Sequence, residues 1–339
     1  MRGVLASILR PAFYFVVNSI PIVPMLPNFF IVGAPKAGTT SIFHYLDQHP
    51  EIYMSPVKEP CHFAAEIRPE NFCDELQPRV TRELKELQEY LSGPMTVKRP
   101  GGMVLEWENY LKLFTAVRQE KAIGEASIVY LWSKTAGRNI ASKIPDAKIV
   151  MILRDPAERA FSHYLHAVTL GNLRRSFREQ IKLASRDHSE KFSLDDLHLL
   201  EIGLYYEQVK RYLNLFPKAN ICLRFYEDYR DRPAQFVSDI FRFLCVDSTF
   251  APDLSKKHLQ PRIPRHLAAS DALKKSGLWQ FAKRITPPSM LTRMRALAFT
   301  PRKALVMDRR EREYLIGYYR EDIRKLSSLV NRDLGAWLQ

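Results

Sequence analysis

The chain has 339 residues, 46% of them apolar and 26% charged, which is ordinary globular composition and excludes disorder, collagen and coiled coil. Its 51 Lys and Arg outnumber 37 Asp and Glu, a net charge of +14 that calls for an anionic partner: nucleic acid, a membrane surface, or a phosphorylated or sulfated ligand. The four cysteines, Cys61, Cys73, Cys222 and Cys245, are too scattered for a disulfide framework or a zinc site, so a reducing compartment and no metal are expected.

Residues 1–27 form an apolar N-terminal segment interrupted by Arg10, Pro11, Pro21, Pro24 and Pro27. It is short for a bilayer span, which needs roughly 20 apolar residues, and it lacks a small-residue cleavage site after the apolar run. It reads as a surface segment over an apolar groove or as a peripheral membrane contact. An α/β pattern follows. Asn28 to Val32 is a short, aromatic-rich buried strand, Gly33 to Gly38 a tight loop, and Thr39 to Gln48 a helix ended by Pro50. Val80 to Leu91 is a charged, exposed helix. Lys148 to Leu153 is a second strand, and a helix follows with Asp155 as N-cap, Pro156 at its first position and Glu158 three residues after the cap. Leu204 to Phe216 is an amphipathic helix, Ile221 to Phe225 a strand, and Pro233 to Leu244 a helix. The last helix, Asp308 to Val330, carries Tyr314, Leu315, Tyr318, Ile323 and Leu326 on one face. Repeated strand–loop–helix units predict an α/β, P-loop-like three-layer sandwich with a central parallel sheet and helices on both faces. With no linker or repeat, residues 28–339 form one domain.

The loop Gly33-Ala34-Pro35-Lys36-Ala37-Gly38-Thr39-Thr40 sits where α/β proteins bind phosphate. A strand running into a helix N-terminus offers free N–H groups and the positive end of the helix dipole. Gly33 and Gly38 permit the turn, Lys36 adds a cation, and Thr39 and Thr40 add hydroxyl donors. The loop is not Walker A, which requires Lys directly after the second glycine; Thr39 stands there instead. A lysine set back by two residues suits a metal-free reaction at a single 5′-phosphate better than ATP hydrolysis.

Pro35-Lys36-Ala37-Gly38-Thr39-Thr40-Ser41 resembles the 5′-phosphosulfate loop of sulfotransferases that use 3′-phosphoadenosine 5′-phosphosulfate (PAPS), and Leu153-Arg154-Asp155-Pro156 through Ser162-His163-Tyr164 is similar to that family's 3′-phosphate element. A guanidinium at Arg154, at a strand end, can fork onto a phosphate. The resemblance implies that Ser162 also binds the 3′-phosphate. Arg159, one turn after Asp155, reads as half of an exposed helix pair, and His163 as a packed core histidine.

Sulfuryl transfer benefits from a base for the acceptor and a cation for the leaving phosphate. Lys36 is the expected cation. Lys58-Glu59-Pro60-Cys61-His62-Phe63 resembles the Lys-Glu-Pro-His-Phe-Phe stretch of bacterial sulfotransferases and their heparan-sulfate relatives, which implies Glu59 as base and Lys58 near the sulfate. The alternative for Glu59 is a salt bridge with a neighbouring lysine. Cys61 departs from the pattern, either as an extra residue or as a replacement, and His62 is the second candidate base. Gly124-Glu125-Ala126-Ser127-Ile128-Val129-Tyr130 resembles the family's Gly-Glu-Ala-Ser-Pro-x-Tyr segment, with Ile128 where proline is usual. Glu125 either orients the acceptor or makes a structural hydrogen bond.

From Lys256 to Met307 there are twelve Lys and Arg and one acid, Asp271, interspersed with Leu273, Trp279, Phe281 and other apolar residues. In relatives a basic loop closes over the 3′-phosphate, and Arg262 and Arg265 are the candidates. Basic plus apolar patterning also suits a membrane surface. The resemblance implies a PAPS-dependent transferase (EC 2.8.2.-), with PAPS as co-substrate, no metal, and a hydroxyl or amine acceptor on a glycan, lipid or small molecule. The rivals are a P-loop kinase or NTPase and a non-catalytic basic membrane-surface protein. Nothing resembles a nucleic-acid-binding motif. A phosphate loop beginning at residue 33 leaves no room for an anchor and stem, so a bacterial cytoplasmic enzyme is expected, with peripheral contact at the inner membrane surface through residues 1–27 and 256–307.

Overall fold

The computed structural model describes residues 25–170, 173, 175–185, 198–255, 263–264, 299–300 and 306–339, with backbone alone at 263–264 and 299–300. Five parallel strands form the central sheet: β1 (Phe29–Gly33), β2 (Ile52–Met54), β3 (Ala122–Ala126), β4 (Lys148–Leu153) and β5 (Ile221–Phe225), in the order β2-β3-β1-β4-β5. Phe30 lies opposite Glu125 on one side and Ile149 on the other, so β1 is the middle strand. β1, β3 and the apolar part of β4 are buried throughout. A strand covered on both faces has no polar side to show, which explains the apolar runs of β1 and β4; β3 carries one polar side chain, Glu125.

The covering helices are α1 (Thr39–Leu46), α2 (Gln77–Leu91), α3 (Trp107–Lys112), α4 (Ala136–Lys143), α5 (Pro156–Leu170), α6 (Phe177–Ala184), α7 (Tyr205–Leu215), α8 (Tyr226–Asp231), α9 (Pro233–Leu244) and α10 (Arg309–Val330). α1 packs on α9; α7 packs on α4 and α10, and α10 on α5. The α/β sandwich is therefore as expected. The strands at 148–153 and 221–225 and the helix at 233–244 match their expected bounds, whereas α1 stops two residues early.

Two expectations need correction. α10 buries Leu315, Ile316, Tyr319, Ile323 and Leu326, while Tyr314 is 43% exposed. Ile316 and Tyr319 take the buried places expected of Tyr314 and Tyr318, and the Tyr319 hydroxyl donates to the Leu200 carbonyl at 3.0 Å. Arg159 is not part of an exposed pair. It is fully buried, and its Nη2 donates to the Leu199 carbonyl. Asp155 caps α5, accepting from the Ala157 and Glu158 N–H groups at 2.9 and 3.1 Å, and its second oxygen takes Arg312 Nη2 of α10 at 2.8 Å.

A short antiparallel pair, β6 (Ile263–Pro264) with β7 (Phe299–Thr300), lies beside α5. No helix among the described residues is long and apolar enough to cross a membrane.

Candidate active site

The strand order reverses direction around β1: the chain moves out to β2 and β3 on one side, then crosses to β4 and β5 on the other. Such a switch point leaves a crevice at the carboxyl ends of the strands, where open α/β sheets bind ligands. The loops after β1 and β4, which carry the two phosphate signatures, both open there.

The β1 loop is pinned to β4 by the Ala34 N–H donating to the Ile152 carbonyl at 2.7 Å. Lys36 (φ 65°) and Gly38 (φ 86°) both take left-handed conformations. At Gly38 the requirement is steric as well, since a Cβ would lie 3.2 Å from the Tyr229 ring. Pro35, Ala37, Thr39 and Ser41 are buried, while Lys36, Gly38 and Thr40 are partly exposed. Ser41 is hydrogen-bonded to the Tyr229 hydroxyl of α8.

Arg154, at the end of β4, joins the two signatures. Its Nη1 donates to the Lys36 carbonyl at 3.0 Å, its Nη2 lies 3.4 Å from Glu158 Oε2, and its guanidinium sits over the Tyr226 ring, 4.7 Å from the centre. The planar group is thus held on three sides beside a helix N-terminus, an arrangement suited to an anion. Ser162 is partly exposed, two turns along α5. Arg262 and Arg265 lie outside the described residues, as do residues 1–24 and most of the basic window. The segment between the two arginines, β6, lies beside α5, the helix that carries Ser162.

The third element is the loop after β2. Lys58 N–H donates to the Arg99 carbonyl at 2.9 Å, and Glu59 N–H to the Ala126 carbonyl at 2.8 Å, which sets the loop over the end of β3. Glu59 and Cys61 are left-handed, with φ of 64° and 55°. Lys58 Nζ pairs with the Glu59 carboxylate, so the salt bridge weighed for Glu59 is present, and it lies inside the crevice. Burial lowers Lys36 to about 8; the Glu59 charge opposes this, and Arg154 and Lys58 reinforce it. Lys36, Lys58, Glu59 and Arg154 are therefore one electrostatic group.

His62 is set apart from it. Its Nδ1 is 2.9 Å from the Val104 carbonyl, and its ring stacks on Tyr110 at 4.6 Å and packs against Trp107. Glu125 is fully buried. Its carboxylate accepts from Ser127 Oγ at 2.6 Å and from the Tyr110 and Tyr130 hydroxyls at 2.9 Å each, so it makes structural hydrogen bonds rather than facing the crevice.

Sequence reasoning missed two features. His166, one helical turn beyond Ser162, feels Lys36 and Glu59; burial, aided by Lys36 and opposed by Glu59, lowers it to about 4, so the imidazole is neutral near pH 7. Its spacing of four residues from Ser162 is the signal that could have found it. Tyr226 and Tyr229, which back Arg154 and Gly38, begin the helix after β5, the same strand–helix position as the two signatures. Among the described residues, no group of His, Cys, Asp or Glu could hold a metal ion.

The family model for the sulfotransferase domain matches residues 26–266. The chain belongs to the sulfotransferase domain family. A solved sulfotransferase from Alicyclobacillus acidocaldarius is 31% identical to it, with a TM-score of 0.66 over 93% of this chain and 100% of that one. The human bifunctional heparan sulfate N-deacetylase/N-sulfotransferase 3 is 26% identical over 93% of this chain and 31% of its own length. Human carbohydrate sulfotransferase 15 is 25% identical over 65% of this chain and 44% of its own. The chain thus spans less than half the length of these two curated relatives. In this sulfotransferase domain the two phosphate signatures and the Glu59 loop, far apart in sequence, converge on one crevice.

Proposed function

We propose that this sulfotransferase moves the sulfuryl group of PAPS to a hydroxyl or amine of an acceptor, with Glu59 as base. The observation that carries the reading is the meeting of three elements at the switch point: the Lys36 loop, Arg154 bonded to the Lys36 carbonyl, and the Glu59 carboxylate close enough to act on the Lys36 charge. The donor set fits the nucleotide. It has two left-handed loop residues, a helix N-terminus, and two cations, Lys36 and Arg154, that act on one another.

PAPS supplies a sulfuryl group on a phosphate that can leave. Lys36, with the N–H groups of residues 38–41, binds the 5′ end and meets the charge that grows on the departing phosphate oxygen. Arg154 and Ser162, with Arg262 and Arg265, hold the 3′-phosphate. Glu59 takes the acceptor's proton as its oxygen or nitrogen bonds to sulfur. Lys58 fixes the Glu59 carboxylate and adds positive charge near the sulfate. His166, neutral at pH 7, lines the same crevice and can hydrogen-bond acceptor or sulfate without adding charge.

Among acceptors, a glycan comes first, on the likeness to relatives named for heparan sulfate and carbohydrate sulfation; a lipid or small molecule is the alternative. A cytoplasmic enzyme touching an anionic membrane through residues 1–27 and 256–307 is the location this reading carries. Its support is the basic and apolar patterning of those segments.

The test has two arms. Adenosine 3′,5′-bisphosphate should raise the melting temperature without added metal, and ATP should do so much less. Then ³⁵S-labelled PAPS, incubated with glycan, lipid and metabolite panels, should label one class. Equal shifts from ATP and the bisphosphate would sink the PAPS reading.

A further inference from the structure

The proposed base sits on a loop whose backbone is unusual. Glu59 and Cys61 are both left-handed without being glycine, and such conformations persist only where the surroundings over-determine them. The surroundings here trace to one buried carboxylate. Ser127 Oγ donates to Glu125 Oε2 at 2.6 Å and accepts the Cys61 N–H at 3.1 Å. The Tyr130 hydroxyl donates to Glu125 Oε1 at 2.9 Å and accepts the Phe63 N–H at 3.2 Å. Tyr110 is the third donor to the carboxylate and the second to Oε1, and the Glu59 N–H is fixed directly on the Ala126 carbonyl, next to Glu125 in the chain.

The polarity of this relay follows from its centre. An ionised carboxylate only accepts, so both hydroxyls must turn their protons toward it. Their lone pairs then face outward, toward the two N–H groups of the base loop. We propose that Glu125 is a positioning residue for Glu59: as an acceptor-only centre it orients Ser127 and Tyr130, and through them holds the loop 59–63 in the conformation that presents the base to Lys36. The inference rests on the reading of Glu59 as base. It also accounts for two segments that lie far apart in sequence, the Lys-Glu-Pro stretch and the Gly-Glu-Ala-Ser stretch, as parts of one device.

A proton on Glu125 disturbs the relay, because the acid must itself donate to a group that is already donating. Burial pushes Glu125 up to about 7, outweighing its three donors, and the Glu59 charge adds to the rise. The titratable groups around it are Glu59 and Cys61 from the base loop, Tyr110 from α3, Tyr130 from the turn after β3, and Tyr212 from α7. The hold on the loop is therefore firm above pH 7 and loosens below it.

Backbone hydrogen exchange of the full chain reads the relay without any sulfate acceptor. In the unmodified protein, protection of the Cys61 and Phe63 amides, corrected for intrinsic exchange, should be lower at pH 6 than at pH 8, while protection of β4 stays constant. Ser127→Ala should expose the Cys61 amide roughly tenfold and spare Phe63, and Tyr130→Phe should do the reverse; the size follows from one charge-supported hydrogen bond. Glu125→Gln should expose at least one of the two amides, because its side-chain N–H₂ must face either Ser127 or the two tyrosines. Adenosine 3′,5′-bisphosphate affinity should hold in Ser127→Ala, and kcat should fall with little change in KM. Equal protection at pH 6 and 8, together with unaltered Cys61 exchange in Ser127→Ala, would overturn the proposal even if Glu125→Gln failed to fold. Turnover by Glu59→Gln tests the base itself, so the two ideas fail separately.

Discussion

Arg154 Nη1 donates to the backbone carbonyl of Lys36 at 3.0 Å, across 118 residues of chain. The residue read as a 3′-phosphate ligand is thus also a brace for the loop read as the 5′-phosphate cradle. The two ends of the proposed nucleotide site are mechanically one.

Arg154→Ala should accordingly weaken adenosine 3′,5′-bisphosphate by roughly tenfold to a hundredfold, the worth of a charged hydrogen bond. Adenosine 5′-phosphate should also weaken, by less, because its cradle loses the brace. Calorimetric titration of both ligands gives the comparison; an equal loss for both would move Arg154 away from the 3′-phosphate.

Glu59→Gln keeps shape and hydrogen bonding and removes basicity. The fall should appear in kcat, by roughly 10²–10⁴-fold, with bisphosphate affinity almost unchanged. Lys36→Ala should lose both. Near-normal turnover in Glu59→Gln combined with a dead His166→Ala would transfer the base to α5.

Lys36, lowered to about 8 chiefly by burial, is partly deprotonated in the free protein at pH 8. A bound phosphate dianion favours the ammonium form, so binding at pH 8 should take up a fraction of a proton. Affinity should fall as pH rises above 8. Titrations in buffers of differing ionisation enthalpy count the proton. Lys36→Arg should abolish the uptake, because a guanidinium is always charged; persistence of the uptake would assign it to another group.

Gly124 precedes Glu125 for a packing reason: a Cβ there would lie 2.2 Å from the Phe29 ring in the middle strand. Gly124→Ala should cost about 1–3 kcal/mol by overpacking, read as a lower melting temperature. Phe29→Leu in the same chain should recover part of it, and no recovery would point to backbone strain instead.

The sequence by itself determined strands β1, β4 and β5, six of the helices, the two phosphate signatures and the Glu59 stretch, but not β2, β3 or the helices α3, α4, α6 and α8. Those signals are local: a run of buried apolar residues, a capping aspartate, a glycine where the loop turns left-handed. The fate of individual polar side chains was decided only by tertiary structure. Arg159 and Asp155 stand one turn apart and read as partners, yet α10 supplies Arg312 to Asp155 and leaves Arg159 buried against Leu199. Glu125 reads equally as an acceptor ligand or a structural anchor; the hydroxyls of Ser127 and Tyr130 in its own segment and of Tyr110 on α3 make it the anchor. His166 carries no motif of its own, and joins the group only because the fold brings α5 within reach of the Lys36 and Glu59 charges. A strand or helix is specified by its own residues. A carboxylate's role depends on which donors the fold turns toward it, whether they stand near it in the chain, as Ser127 does to Glu125, or far from it, as Arg312 does from Asp155.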